Sequence, residues 1–218
     1  MYKRQTQPRD VMFDEASNIY RCGSFYGTVN FETPPAAHNV TVSGSGGYIS
    51  KNDSLGNLLW VRVIESANTL LVQHIKMDNN GNIYGMGRFQ QTTDFDPGPG
   101  IYEVTPNGLG YFILKLDNSG NFLWVDTYEG TGHLYEIAVT GLGEAYWLST
   151  FTDTLHVVGD NAAFSLVSQG DDDICLIHID SCGDLVSTQS FGSPNKESGI
   201  GPVSYTHPEP TRPSTISY

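Results

Sequence analysis

The 218-residue chain carries 24 acidic against 11 basic side chains, a formal charge of −13, with 39% hydrophobic and 11% aromatic residues. Aromatic area on this scale supports a packed core and excludes a disordered chain, while the acidic balance excludes a nucleic-acid binder, which needs a basic footprint to displace counterions. No apolar run approaches the roughly 18 residues of a spanning helix, and the basic start Met1-Tyr-Lys-Arg-Gln5 has no apolar stretch behind it, so neither membrane insertion nor a signal peptide is expected.

In chain order, the first pattern is Asp14-Glu-Ala-Ser-Asn-Ile-Tyr20 followed by Cys22-Gly-Ser-Phe25. After an excursion from about residue 28 to 45 comes Tyr48-Ile-Ser-Lys-Asn-Asp53-Ser-Leu-Gly56-Asn-Leu-Leu-Trp60. Val72–Met77 then alternates, is stopped by Asp78-Asn-Asn-Gly81, and resumes as Asn82-Ile-Tyr-Gly-Met-Gly-Arg-Phe89. That pattern predicts a hairpin: the Asp can accept turn N–H groups, and the Gly adopts positive φ at no steric cost. A second excursion, Gln91 to Gly108, carries Asp94-Phe-Asp-Pro-Gly98 and leads to a second hairpin, Tyr111–Leu116 and Asn121–Thr127 around Asp117-Asn-Ser-Gly120. Gly143-Glu-Ala-Tyr146 with Leu148–Phe151 repeats the first pattern, an excursion of about residues 152 to 169 follows, and Cys175-Leu-Ile-His-Ile-Asp180-Ser-Cys-Gly183 repeats the second without its tryptophan.

The tyrosines of the first pattern, at 20, 84 and 146, recur at offsets of 64 and 62, which marks an internal repeat. Two hairpins per period predict four strands, and Gly, Pro and Asn punctuate every window of helical length. The expected fold is therefore all-β, a partial β-propeller of three four-stranded antiparallel blades spanning about residues 8–66, 67–131 and 132–200. Three blades do not close a ring, so the chain is expected to be part of a longer one, and as an isolated fragment to self-associate through its terminal blade faces.

The ends depart from the repeat. Residues 201–218 hold four prolines, and Pro202-Val-Ser-Tyr-Thr-His207 resembles a translated sequencing-adaptor string, with Met1–Gln5 as its counterpart. Residues 1–7 and 201–218 are accordingly expected to be non-native or disordered, a Pro-rich linker being the alternative for the second.

The Asp-x-x-Gly-Asn-Ile-Tyr-x-x-Gly-x-Phe run, the Asp94–Gly98 segment and Phe112-Ile-Leu-Lys-Leu-Asp-x-x-Gly-Asn-x-x-Trp124 resemble the SBBP-type, seven-bladed beta-propeller repeat proteins over about residues 10 to 200. The resemblance implies a propeller fold and an extracellular or cell-surface location in a bacterial-type protein, and implies little about chemistry. The Asp-x-x-Gly-x-x-x-Trp outline is also similar to the propeller repeats of pyrroloquinoline-quinone enzymes, where the tryptophan docks between blades. Trp60 and Trp124 are read as packing residues of that kind, with no cofactor.

Candidate chemistry is sparse. Asp171, Asp172 and Asp173 form the densest carboxylate cluster, and Asp94 and Asp96 sit at an i, i+2 spacing that puts both on one side of an extended segment. These five are the candidate metal ligands, with Ca²⁺ as the cation, set against solvated-loop and turn-stabilising roles. Asp78–Asn82 lacks the sixth-position Gly and twelfth-position Glu of an EF-hand loop. The six histidines form no metal-binding spacing, no nucleophile elbow occurs, and Cys22, Cys175 and Cys182 show no C-x-x-C pair. No catalytic residue is assigned. The expected function is a non-enzymatic binding or scaffold module presenting loops to a glycan or protein partner. The alternatives are a fragment of a polysaccharide-acting hydrolase or lyase using Asp94 and Asp96, and a structural spacer.

Overall fold

The computed structural model describes residues 6–158 and 163–193. The predicted tail at 201–218 and the chain start at 1–5 lie outside the described residues. Thr6 and Gln7, assigned above to the chain start, form the beginning of the first strand, where they pair with Phe25 and Ser24.

The described residues are all-β and antiparallel. Strands β1 (Thr6–Phe13), β2 (Ile19–Asn30), β3 (Asn39–Asn52) and β4 (Leu58–Ser66) pair in chain order as a first meander. A second meander joins β5 (Leu70–Met77), β6 (Ile83–Phe89), β9 (Gly110–Leu116) and the first half of β10 (Phe122–Val139). The second half of β10 continues into a third meander with β11 (Ala145–Val158), β13 (Asp173–Ile179) and β14 (Leu185–Phe191), while β12 (Ala163–Val167) pairs with the far end of β11. Between β6 and β9 the chain makes two short strands, β7 (Thr93–Asp94) and β8 (Glu103–Val104), which add to the edge of β4 through Ser66 and Thr93. Both sheets are open.

The second and third meanders were expected to part at residue 131. Instead β10 runs through that point, pairing Phe122–Glu129 with β9 and Thr131–Val139 with β11. The stretch from Val125 to Val139 contains no turn dipeptide, only Gly130 and Gly132, so nothing local stops the strand.

Period-2 alternation sends successive side chains of the second meander to opposite faces. On one face Val72, Phe89, Phe112 and Leu114 pack against Cys22, Ile49 and Ile64 of the first meander. On the other, Met86, Tyr111, Ile113 and Tyr128 pack against Ile137, Trp147, Cys175 and Ile177 of the third. Every residue of β9 is buried as a result. Each large aliphatic or aromatic side chain taken from water in this way contributes about 1.5–3 kcal/mol. The close approach of first and second meanders requires Gly47, where a Cβ would fall 2.0 Å from Leu70 Cδ2. A smaller cluster, Phe25, Val42, Tyr48 and Phe31, lies under the long β2–β3 hairpin.

Candidate binding site

The turns at one end of the meanders share one hydrogen-bond pattern. In the β5–β6 turn, Asp78 N–H donates to Asn82 O and Gly81 N–H to Asp78 O, at 3.1 and 3.0 Å. The Asp78 carboxylate accepts the backbone N–H groups of Asn80 and Asn82 through Oδ1, both at 2.9 Å, and the Asn82 amide through Oδ2 at 2.8 Å. Asp53 and Asp117 make the same set of bonds in the β3–β4 and β9–β10 turns. Asp14 keeps the two bonds from Asn18 in the β1–β2 turn, and Asp180 keeps the two backbone bonds in the β13–β14 turn. In the β10–β11 turn Thr140 takes the aspartate position, its Oγ1 accepting only the Glu144 N–H.

Beside these turns, each meander carries a row of three residues in cross-strand register: Tyr20, Lys51 and Trp60; Tyr84, Lys115 and Trp124; Tyr146, His178 and Ser187. The first two rows reach the turns of the following meander. Lys51 Nζ and Tyr20 Oη donate to Asn118 Oδ1 at 2.8 and 3.2 Å. Lys115 Nζ donates to Ser181 O at 2.8 Å, Tyr84 Oη to Gly143 O at 2.7 Å, and Trp124 Nε1 to Ser181 O at 3.3 Å. The lysine of each row lies over its tyrosine ring, 5.0 Å from the centroid for Lys51 and 4.9 Å for Lys115. Lys115 stands 3.9 Å from Asp78 and Lys51 3.8 Å from Asp14. Burial pulls the Lys115 ammonium below its usual range, against the opposing charges of Asp78, Cys182 and Asp180. Burial pushes the Tyr20 and Tyr84 hydroxyls well up, reinforced by the neighbouring Asp14 and Asp78.

Where the β1–β2 and β5–β6 turns meet, an open cavity of about 440 Å³ is lined by Phe13, Asp14, Glu15, Asp78, Asn80 and Asn118, among others. Phe13 is 65% exposed and supplies an aromatic face. Burial works to raise the Asp14 carboxyl, but the hydrogen bonds from Asn18 and Tyr20 and the Lys51 charge outweigh it and hold the group below its ordinary value. Because Asp14 and Asp78 are occupied by turn N–H groups and a tyrosine hydroxyl, the cavity offers amides, the Glu15 carboxylate and an aromatic ring.

The predicted ligand residues sit elsewhere. Asp94 Oδ1 accepts the N–H groups of Asp96 and Tyr102 at 3.1 and 2.8 Å, and Asp96 Oδ1 accepts that of Gly98 at 2.7 Å, so both carboxylates shape the β7–β8 loop. Asp173 is buried and accepts the Gln169 N–H at 2.9 Å, whereas Asp171 and Asp172 lie on the surface. Among the described residues no three His, Cys, Asp or Glu side chains converge in a way that could hold a metal ion. Cys22, Cys175 and Cys182 are all free, and burial raises the Cys22 and Cys175 thiols to about 12. Trp60 and Trp124 are half-buried at the contacts between meanders, Trp60 edge-on to Tyr20 and Trp124 edge-on to Tyr84.

Sequence reasoning missed three features. Lys51 and Lys115 are one, signalled by a Lys-x-Asp spacing before each of two turns. Trp147 is the second, 4.3 Å from Tyr128 and almost fully buried between the second and third meanders. Phe13 is the third, an aromatic residue directly before the first turn. No family model matches the chain, and no curated protein matches it.

Proposed function

We propose that the chain is a non-enzymatic binding or scaffold module, three units of a partial β-propeller that present their turn-bearing end to a glycan at a cell surface. The observation that carries this reading is the 440 Å³ cavity, in which exposed Phe13 stands beside Glu15 and the amides of Asn80 and Asn118. A sugar ring has one apolar face and a rim of hydroxyls, which an aromatic platform flanked by amides and a carboxylate complements. Asp94 and Asp96, on which the hydrolase or lyase alternative rests, accept backbone N–H groups of their own loop, and this favours binding over catalysis. The stacking of one meander on the next through both faces of the second supports the propeller reading.

Screening the full chain against immobilised neutral, acidic and amino-sugar oligosaccharides tests the proposal. We expect at least one class to be retained, and Phe13→Ala to weaken that binding about fivefold or more, since truncating an aromatic anchor at a binding site costs over about 1 kcal/mol. A chain that retains no oligosaccharide, or a Phe13→Ala variant that binds as well as the parent, overturns it.

A further inference from the structure

The three rows occupy the same register, and among the described residues two of them grip the turns of a following meander. Tyr20 and Lys51 hold the β9–β10 turn, and Tyr84, Lys115 and Trp124 hold the β10–β11 and β13–β14 turns. The third row, Tyr146, His178 and Ser187, faces away from the second meander. Its ring pair is already assembled, with Tyr146 and His178 stacked at 4.2 Å and 10°. His178 Nε2, in the place of Lys115 Nζ, is buried and has no hydrogen-bond partner among the described residues, its nearest carboxylate oxygen, Glu144 Oε1, lying at 3.7 Å.

Equivalent positions around the row sharpen the contrast. Cys22 and Met86 are fully buried between meanders, whereas Leu148, in the same register, is 40% exposed. Tyr128 is 1% exposed and its equivalent Phe191 is 54%. Leu176 stands between Leu148 and Gln189 where Ile113 is sealed in the second meander. The third meander therefore repeats, on its outer face, the surface with which the second meander grips a neighbour.

What that surface grips is also defined. It takes the second residue of an Asp-x-x-Gly turn at the β3–β4 position of a meander: Asn118 in one case, Ser181 in the other. The first meander carries the remaining turn of this kind, Asp53-Ser-Leu-Gly56, with Ser54 exposed and Leu55 87% exposed. Its backbone hydrogen bonds match those of the two gripped turns.

We infer that the outer face of the third meander, around Tyr146, Leu148, His178 and Phe191, docks the Asp53–Gly56 turn of a second copy of this chain, the turn seated at the Tyr146–His178 pair as the Ser181 turn is at Tyr84 and Lys115. The contact is head-to-tail and heterologous, so copies add in series and close into a ring where the rotation per copy allows. It goes beyond the glycan reading and is independent of it, because the cavity at Phe13 lies between the first and second meanders of one copy.

Light scattering on the size-exclusion eluate of the full chain, across a range of loading concentrations, is the first test. The mass should exceed one chain and rise with concentration; a single-chain mass throughout overturns the inference. Two double variants, all at exposed or part-exposed positions, then separate the halves of the contact. Leu148→Arg with Phe191→Asp disables the face, and Ser54→Arg with Leu55→Arg disables the turn. Each alone should elute as one chain, while an equimolar mixture should form a two-chain complex and nothing larger, since each variant retains the half the other lacks. A turn variant that still pairs with itself, a face variant that associates like the parent, or a mixture that stays single-chain overturns head-to-tail docking, and matching far-ultraviolet circular dichroism confirms that each variant is folded.

Discussion

At the scale of one residue, the position most exposed to a physical test is Ser17. It holds the fourth place of the β1–β2 turn with φ of 62°, where the equivalent residues of the other five turns are Gly56, Gly81, Gly120, Gly143 and Gly183, all with positive φ between 79° and 98°. An L-residue in the left-handed region costs about 1–2 kcal/mol, against roughly 0.5–1 kcal/mol for the extra freedom that glycine loses on folding. Relief of the first term exceeds the second, so Ser17→Gly should stabilise the chain by about 0.5–1 kcal/mol, seen as a higher urea midpoint at unchanged slope. A midpoint that falls would mean that the Ser17 side chain supports the turn in a way its hydrogen bonds do not reveal.

At the scale of elements, the rows that join one meander to the next decide more than any single turn. Lys115 is almost wholly buried between Tyr84, Trp124, Asp78 and the Ser181 carbonyl. Lys115→Met keeps the side-chain bulk but leaves Asp78 without its cation and Ser181 O without its donor, at a cost of about 2–4 kcal/mol. Lys51→Met at the more open equivalent should cost less, about 1 kcal/mol. Chemical denaturation of both variants checks the order, and equal losses would show that the greater burial of the second row carries no energetic weight.

These same elements mark what the sequence discloses and what it conceals. The hairpins at Asp78–Gly81 and Asp117–Gly120 were legible because the turn chemistry is local, an aspartate accepting N–H groups two and four residues on. The rows were not, because Tyr84, Lys115 and Trp124 become neighbours only once three strands settle into register. A lysine inside a β-run reads as a solvent-facing residue, whereas Lys115 points at a turn of the following meander. The continuity of β10 was equally hidden, since a strand that changes partners at Gly130 has no local mark of doing so. Asp94, Asp96 and Asp173 stand out in the sequence by their charge, and each accepts backbone N–H groups of its own loop, the same local chemistry as the turn aspartates.

At the scale of the whole molecule, the acidic surplus and the turn carboxylates make opposite demands on pH. A formal charge of −13 repels itself at neutral pH, so protonation on the way down would relieve the folded state. The turns oppose this. Asp53 is held below its ordinary value first by the Asn57 side chain, and Glu65 first by the Ser43 hydroxyl. Asp14 and Asp117 are lowered although burial works to raise them, Asn18 and Asn121 together with nearby positive charge prevailing. A carboxyl whose folded value lies below its unfolded one contributes stability that is complete above the unfolded value, near 4, and is lost as pH falls through the folded value. Charges spread over a surface are screened beyond roughly 8 Å at physiological salt, whereas a hydrogen-bonded carboxylate is not, so the local effect wins. The melting temperature should therefore hold level from neutral pH to about 5 and fall steeply below about 4. Asp117→Asn, which takes up no proton at this site, should melt lower than the parent at neutral pH and lose less on acidification. A melting temperature that rises as pH drops toward 4 would show instead that self-repulsion governs the fold, and added salt would then stabilise the chain at neutral pH.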